Sequence, residues 1–233
     1  AKILFDEFLA AKFAVLDHAY FVKKRVYKNY GLKQDRFGNI LMPLFDINEK
    51  FWSLQRIFAN GNKMIGALLS NEQKKNGEKL LAKKRGNFFI ISDDMDLYNK
   101  NSAKLNIEAL LKYNKIYICE GFATAASVHE ASKMPVIVGL DVGNLEFVVQ
   151  DFSAKFCNIN IIIAADNDAK KEKESGFNIG KEKAMQIKNS FKNVSVCIPI
   201  FNDTEISSGY SDFNDLYNSR GIGEVGCQLE ILF

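Results

Sequence analysis

The sequence predicts an α/β protein: a parallel sheet flanked by helices, preceded by a smaller basic α+β subdomain. Three observations carry that prediction. From Lys115 onward, short apolar runs alternate with amphipathic stretches in a strand-helix rhythm. The apolar runs are continuous rather than alternating, which is the pattern of strands covered on both faces. The charge also divides. Residues 1–115 hold 21 Lys+Arg against 12 Asp+Glu, a balance of +9, and residues 116–233 hold 10 against 16, a balance of −6, which sum to the net +3.

The first half reads as follows. "FLAAKFAVLDHAYFVKKRV" has helical spacing and ends in the basic cluster Lys23, Lys24 and Arg25. "GNILMPLFD" and "KFWSLQRIF" are two strands joined by a short Ile-Asn-Glu turn, with a Gly-Asn-Lys loop following at 61–63. Residues 70–86 form a charged segment, "NFFIIS" is a further strand, and "SAKLNIEALLKYN" is a helix leading into the second half.

In the second half, "KIYICE", "MPVIVGL", "INIIIAA" and "VSVCIPI" are strands. "TAASVHEASK" and "NLEFVVQDFSAKF" are helices between them, the latter with Leu145, Val149, Phe152 and Phe156 on one face. "NIGKEKAMQIKNSF" is the next helix, its inner face Gly180, Ala184, Ile187 and Phe191. The expected organisation is an N-terminal basic subdomain at 1–110, the α/β unit at 111–221 and a C-terminal tail at 222–233.

In parallel α/β sheets, ligands sit outside the carboxyl ends of the strands. Glu120 follows the first strand of this unit, Asp166 and Asp168 follow the third, and Asp212 and Asp215 follow the fourth at the entrance of a short helix. Asp141 ends the second strand, where it either lines the site or caps a loop. Two carboxylates about 4 Å apart repel by roughly 4 kcal/mol at an effective dielectric near 20. Such a gathering therefore calls for Mg²⁺ or Mn²⁺, which take oxygen ligands. Singly, these acids read as turn formers and caps; together, at three strand ends, they read as a site.

No apolar run approaches the roughly 20 residues needed to span a bilayer, and no signal peptide precedes the fold, so a cytoplasmic protein is expected. Cys119, Cys157, Cys197 and Cys227 lie too far apart for a zinc ribbon and are expected to be reduced. "GIGEVG" matches a dinucleotide-binding spacing by letter, but it follows a helix rather than a strand and has no βαβ unit after it. His18 and His129 are isolated and are read as structural.

"ICEGFATAASVHEAS", "VIVGLDVGNL", "IIIAADNDAKKEKESGFNIGKEKA" and "SDFNDL" resemble the Toprim domain of plasmid and phage DNA primases, especially those of conjugative elements. Glu120-Gly121 is similar to that family's Glu-Gly motif, Asp166-x-Asp168 to its Asp-x-Asp motif, and Asp212 to its later acid, with Asp215 as a helper. The upstream "NILMPLFDINEKFWSLQRIFANGNK" resembles the primase core just before Toprim. The resemblance, which covers roughly residues 15–218, implies a Toprim-type sheet and an enzyme of mobile genetic elements and DNA replication. That enzyme is a nucleotidyltransferase that joins ribonucleoside triphosphates on a single-stranded DNA template.

It further implies that Glu120 is the acid/base or metal-ordering carboxylate, that Asp166, Asp168 and Asp212 hold Mg²⁺ or Mn²⁺, and that Gly121 lets a phosphate approach the backbone. A replicative helicase or further domains of a larger protein are the implied partners, and the sequence has no ligands for the zinc-binding domain that bacterial primases carry.

The basic half is then the path for phosphates. Arg56 and Lys63 are the preferred contacts, near Trp52 as a stacking surface, and Lys83, Lys84 and Arg85 neutralise template backbone. A Toprim nuclease and a non-catalytic module that binds single-stranded nucleic acid are the competing readings. A topoisomerase lacks a domain for its tyrosine, and a receiver domain would carry its acid pair after the first strand.

Overall fold

The computed structural model describes residues 1–66, 72, 75–76 and 82–232 of the chain. Among them two five-stranded sheets share one apolar core. The first is antiparallel: β1 (Lys12–Phe13), β2 (Lys33–Gln34), β3 (Ile40–Phe45), β4 (Phe51–Ile57) and β5 (Lys63–Ile65), in that spatial order. β3 is buried along its whole length. It carries Pro43, which has no N–H to give; β2 pairs only as far as Leu41, so no partner on that side asks for one.

β6 (Phe89–Ile91) belongs to the second sheet. A small hairpin follows, β7 (Tyr98–Asn99) with β8 (Lys104–Leu105), and then β9 (Lys115–Cys119), β10 (Val136–Val138), β11 (Asn160–Ala164) and β12 (Val194–Cys197). The spatial order is β12-β11-β9-β10-β6. The last four strands of the chain run parallel, as their continuous apolar runs predict, and β6 closes the edge antiparallel to β10. A backbone bridge between Phe45 and Phe88, the residue before β6, links the first sheet to the edge of the second.

Helix α1 (Lys2–Ala10) packs on β3 and β4 of the first sheet, whereas α2 (Ala19–Lys24) sets Phe21 against Phe122 in the second half. Around the second sheet lie α3 (Phe122–Ser132), α4 (Val142–Lys155), α5 (Ala169–Ser175), α6 (Ile179–Ser190), α7 (Asp203–Ser207), α8 (Phe213–Arg220) and α9 (Ile222–Leu229). The expected tail is helical: α9 packs on α3 and α8 with Val225 and Leu229 buried. The helical faces read from the sequence hold, since Leu145, Val149 and Phe152 of α4 and Gly180, Ala184 and Ile187 of α6 are buried.

Two expected helices are broken. The stretch from Phe8 to Val26 splits because Lys12 and Phe13 pair with β2, and Lys33 Nζ takes the Leu9 carbonyl at 2.9 Å. A new helix starts at His18, whose ring nitrogen accepts from the Tyr20 N–H at 3.2 Å. Residues 102–114 divide between β8 and a 3₁₀ turn at Ile107–Lys112, whose first N–H donates to Glu49 Oε1 at 2.8 Å. In both places tertiary pairing outweighs helical periodicity. Most of the charged segment 70–86 lies outside the described residues. All four cysteines are free, Cys119 and Cys197 within the core. Among the described residues no helix is long and apolar enough to cross a membrane.

Candidate active site

The parallel register sets the carboxyl ends of β9, β10 and β11 along one edge, with Val138 opposite Cys119 and Ile163 opposite Ile118. Glu120 leaves the edge directly after β9, and Gly121 then begins α3 without a capping side chain. Asp166 lies one residue beyond Ala165, whose N–H still reaches the Cys197 carbonyl of β12 at 3.0 Å. Asp212 caps α8, accepting the Asp215 N–H at 2.8 Å. Glu120, Asp166 and Asp212 line one cleft of about 370 Å³, with Lys23, Lys24 and Lys63 on its walls.

The electrostatics agree with the crowding. Burial, then the charges of Asp141 and Asp168, pushes Glu120 up to about 7. Burial and then Glu120, Asp212 and Asp168 hold Asp166 well above the usual carboxylate range, and burial followed by Asp215 raises Asp212. Lys63 is exposed as a whole residue, yet the cleft walls crowd its ammonium. That desolvation draws its pKa down against the pull of Asp166, Asp212 and Glu120. The first sheet thus delivers a cation into the acidic edge of the second.

The Asp-x-Asp loop is held by amides. Asn167 N–H donates to the Ser211 carbonyl at 2.6 Å, and its side-chain amide donates to the Pro199 carbonyl at 2.8 Å. Asn178 accepts the Asp168 N–H at 3.2 Å and donates to Asn167 Oδ1 at 2.8 Å. Gly180 lets α6 close on this loop, because a Cβ there would stand 2.6 Å from the Asp166 carbonyl oxygen.

Residues 115–223 match the family model described as "Toprim domain". This part of the chain is similar to a Toprim domain. Across 166 residues, 71% of the chain and 10% of the relative, the chain is 31% identical to DNA primase TraC of Escherichia coli. A second DNA primase TraC of Escherichia coli is 27% identical over 172 residues, 73% of the chain and 14% of the relative. The chain spans only about a tenth of the length of these curated relatives.

Solved primase structures share the fold. The DnaG catalytic core superposes with a TM-score of 0.54 at 11% identity, over 100% of this chain and 77% of that one. The primase fragment of the bacteriophage T7 primase-helicase protein gives 0.51 at 14% identity, over 90% and 70%.

Within residues 115–223 the other expected residues have distinct placements. Asp168 lies beside the cleft, its Oδ1 taken by Lys171 at 2.8 Å. Asp141 caps α4 through the Asn144 N–H at 3.1 Å and pairs with Lys84 at 2.8 Å, while its charge acts on Glu120. Asp215 accepts the Ser211 N–H at 3.0 Å and faces Lys24 at 3.7 Å, so it braces the site from behind. Gly121 has φ −105, and a methyl there would make ordinary contacts of 3.5 Å with Lys63 Nζ and 3.7 Å with Thr124 Oγ1. The backbone therefore does not demand glycine; its absence of a side chain keeps the cleft floor bare beside Lys63.

Arg56 is corrected. Its side chain is 1% exposed and its guanidinium is spent on Glu7 at 2.6 Å, Asp35 at 3.0 Å and the Gly66 carbonyl at 3.2 Å. It clamps α1 to the first sheet and offers nothing to a phosphate. Trp52 is not a bare platform either: Lys50 and Lys83 each set an ammonium 4.0 Å from its ring centroid, and its N–H donates to Asp46 at 2.7 Å. Arg85 stacks 3.9 Å from the Phe147 ring, so Lys83, Lys84 and Arg85 have three separate anchors. The sequence reading missed Lys24 as a cleft residue, although it noted the basic cluster. It also missed Asn167, Asn178 and the buried Asn214, which donates to the Lys24 carbonyl at 2.7 Å and Ser127 Oγ at 3.0 Å.

The residues present suit a divalent ion by one direct observation. Asp166 Oδ1 is sealed from solvent and has no hydrogen-bond partner. Among the described residues no three His, Cys, Asp or Glu side chains converge tightly enough to form a cage by themselves. Mg²⁺ does not require one, since it keeps several waters and is held by one or two carboxylates together with substrate phosphates.

Proposed function

We propose that this chain is the catalytic core of a DNA primase, making short RNA primers from ribonucleoside triphosphates on single-stranded DNA with Mg²⁺ or Mn²⁺. The observation that carries the reading is the meeting of Glu120 and Asp166, from two strand ends, with Asp212, from the cap of α8, in one cleft that Lys63 enters from the other sheet. The kinship with DNA primase TraC supports the same reaction.

Each residue has a task in this scheme. Lys63 and the uncapped start of α3 receive triphosphate oxygens, because unpaired N–H groups and an ammonium attract anions. Glu120, with its pKa brought to about 7, takes the proton of the attacking 3′-hydroxyl near neutral pH. Asp166, Asp212 and Asp168 would hold the divalent ions, which supply charge neutralisation at the triphosphate and lower the hydroxyl's proton affinity. Asn167 and Asn178 keep the acidic loop fixed while charge moves. A helicase or further domains of a larger polypeptide would bring the template.

Incubation with single-stranded template, labelled ribonucleotides and either metal tests the proposal. Oligoribonucleotide products are expected. Shortened DNA would identify a nuclease, and salt-sensitive binding without any product would identify a non-catalytic module.

A further inference from the structure

Helix α5 turns back over the acidic loop, and its anchors fix where its lysines point. Lys170 donates to the Ser207 carbonyl at 3.2 Å, Lys173 pairs with Asp203 at 2.8 Å, and Glu172 accepts from Asn178 Nδ2 at 2.8 Å. With these neighbours tied down, Lys171 faces the carboxylates and donates to Asp168 Oδ1 at 2.8 Å. Asp168 opens α5 as its N-cap yet makes no capping bond with its side chain; that oxygen is given to the lysine. Within one acidic set, therefore, Asp168 carries a cation of the protein's own, while Asp166 keeps a sealed oxygen with none.

We propose that Lys171 is a resident counter-ion that competes with a divalent cation for Asp168, and that this competition sets how tightly the centre takes up metal. The inference rests on the metal-site reading above. An ammonium and a divalent ion on the same carboxylate repel each other, so metal uptake at Asp168 is weakened for as long as the lysine stays. Its side chain is 65% exposed on a flexible stem, which makes departure cheap, whereas the Asp168 side chain, 22% exposed, stays in place. In the metal-free protein Lys171 offsets the repulsion among Asp168, Asp166 and Glu120; in the loaded protein it yields.

The test is Mn²⁺ binding to the full chain, by calorimetry and by the electron paramagnetic signal of free Mn²⁺, in wild type, Lys171→Gln and Lys171→Arg. Lys171→Gln is expected to bind Mn²⁺ roughly tenfold more tightly, within the 5–150-fold span of ordinary site coupling, and Lys171→Arg to stay close to wild type. In chelator, Lys171→Gln is expected to melt at a lower temperature and to recover on adding Mn²⁺. An incidental surface ion pair would move neither quantity appreciably. Equal Mn²⁺ affinity in wild type and Lys171→Gln overturns the proposal and leaves the metal site standing. Absence of Mn²⁺ binding in wild type and both variants overturns the metal-site reading itself, and this proposal with it.

Discussion

Glu120 and Arg56 show how differently two charged residues at strand positions are used. Glu120 stands where burial and neighbouring acids bring its proton affinity to neutrality. Removing a positioned base of this kind costs on the order of 10²–10⁴ in rate. Under the proposed primase reaction, Glu120→Gln should lose primer synthesis by about that factor and Asp166→Asn should lose it together with Mn²⁺ binding, both with the fold intact, measured by product gels, calorimetry and circular dichroism; full activity in both would remove them from the chemistry. Arg56 contributes to stability instead. Its partner Asp35 has a side chain only 3% exposed, so Arg56→Ala would leave a buried carboxylate with its bonds from Phe37 and Asn39 but without a counter-charge, at a cost of about 3 kcal/mol. A shift of the urea midpoint without a change in Mn²⁺ affinity is the expected signature. The sequence did not distinguish the two roles, because an arginine in a short strand reads the same whether it meets solvent or a buried pair of acids. The strand-end acids were legible for the opposite reason: their positions follow from where apolar runs stop.

At the scale of elements, α6 shapes the site through its cap and its second residue. Asn178 caps it while holding the Asp-x-Asp loop, and Gly180 brings it against the Asp166 carbonyl. An alanine at 180 would gain up to about 1 kcal/mol of helix propensity. It would also place a methyl 2.6 Å from that oxygen, and overpacking of this sort costs about 1–3 kcal/mol. The contact wins, so Gly180→Ala should lower stability and weaken Mn²⁺ binding together, read by urea titration and calorimetry; a stabilised variant with unchanged Mn²⁺ affinity would show the loop indifferent to α6. The parallel strands, α3, α4 and α6 were readable from their periodicity. The break between α1 and α2 was not, because it contains neither glycine nor proline and is imposed by pairing with β2. Asn167 and Asn178 likewise left no pattern, since a side-chain amide that bonds a distant loop carries no spacing of its own.

Across the whole molecule, the opposed charges of the two halves meet in the cleft, and this predicts how stability varies with pH. A carboxyl whose pKa is higher folded than unfolded binds its proton more tightly in the native state, so the native state loses stability as pH rises between the two values. For Glu120 that window runs from 4.5 to about 7, and Asp166 and Asp212 act in the same direction. Glu205, held down to about 2 by Arg220 and Ser219, has the opposite sense. So does Glu130, which Lys133 and Tyr30 hold at about 2 against its burial. Their contribution is complete above 4.5 and lost only as pH falls toward 2. The Glu120 window opens at 4.5, where that of Glu205 and Glu130 closes, and Asp166 and Asp212 already act from 3.8, so the metal-free protein should lose stability as pH rises from about 4.5 toward 7. Mn²⁺ at the proposed site should lift the neutral end most, because there the acids are most ready to receive it. Thermal melts in chelator and in Mn²⁺ across this range check the claim, with the double variant Glu120→Gln/Asp166→Asn as the control that should flatten the slope. A decline of equal steepness in that double variant would place its origin outside the cleft and remove the acids from the pH response.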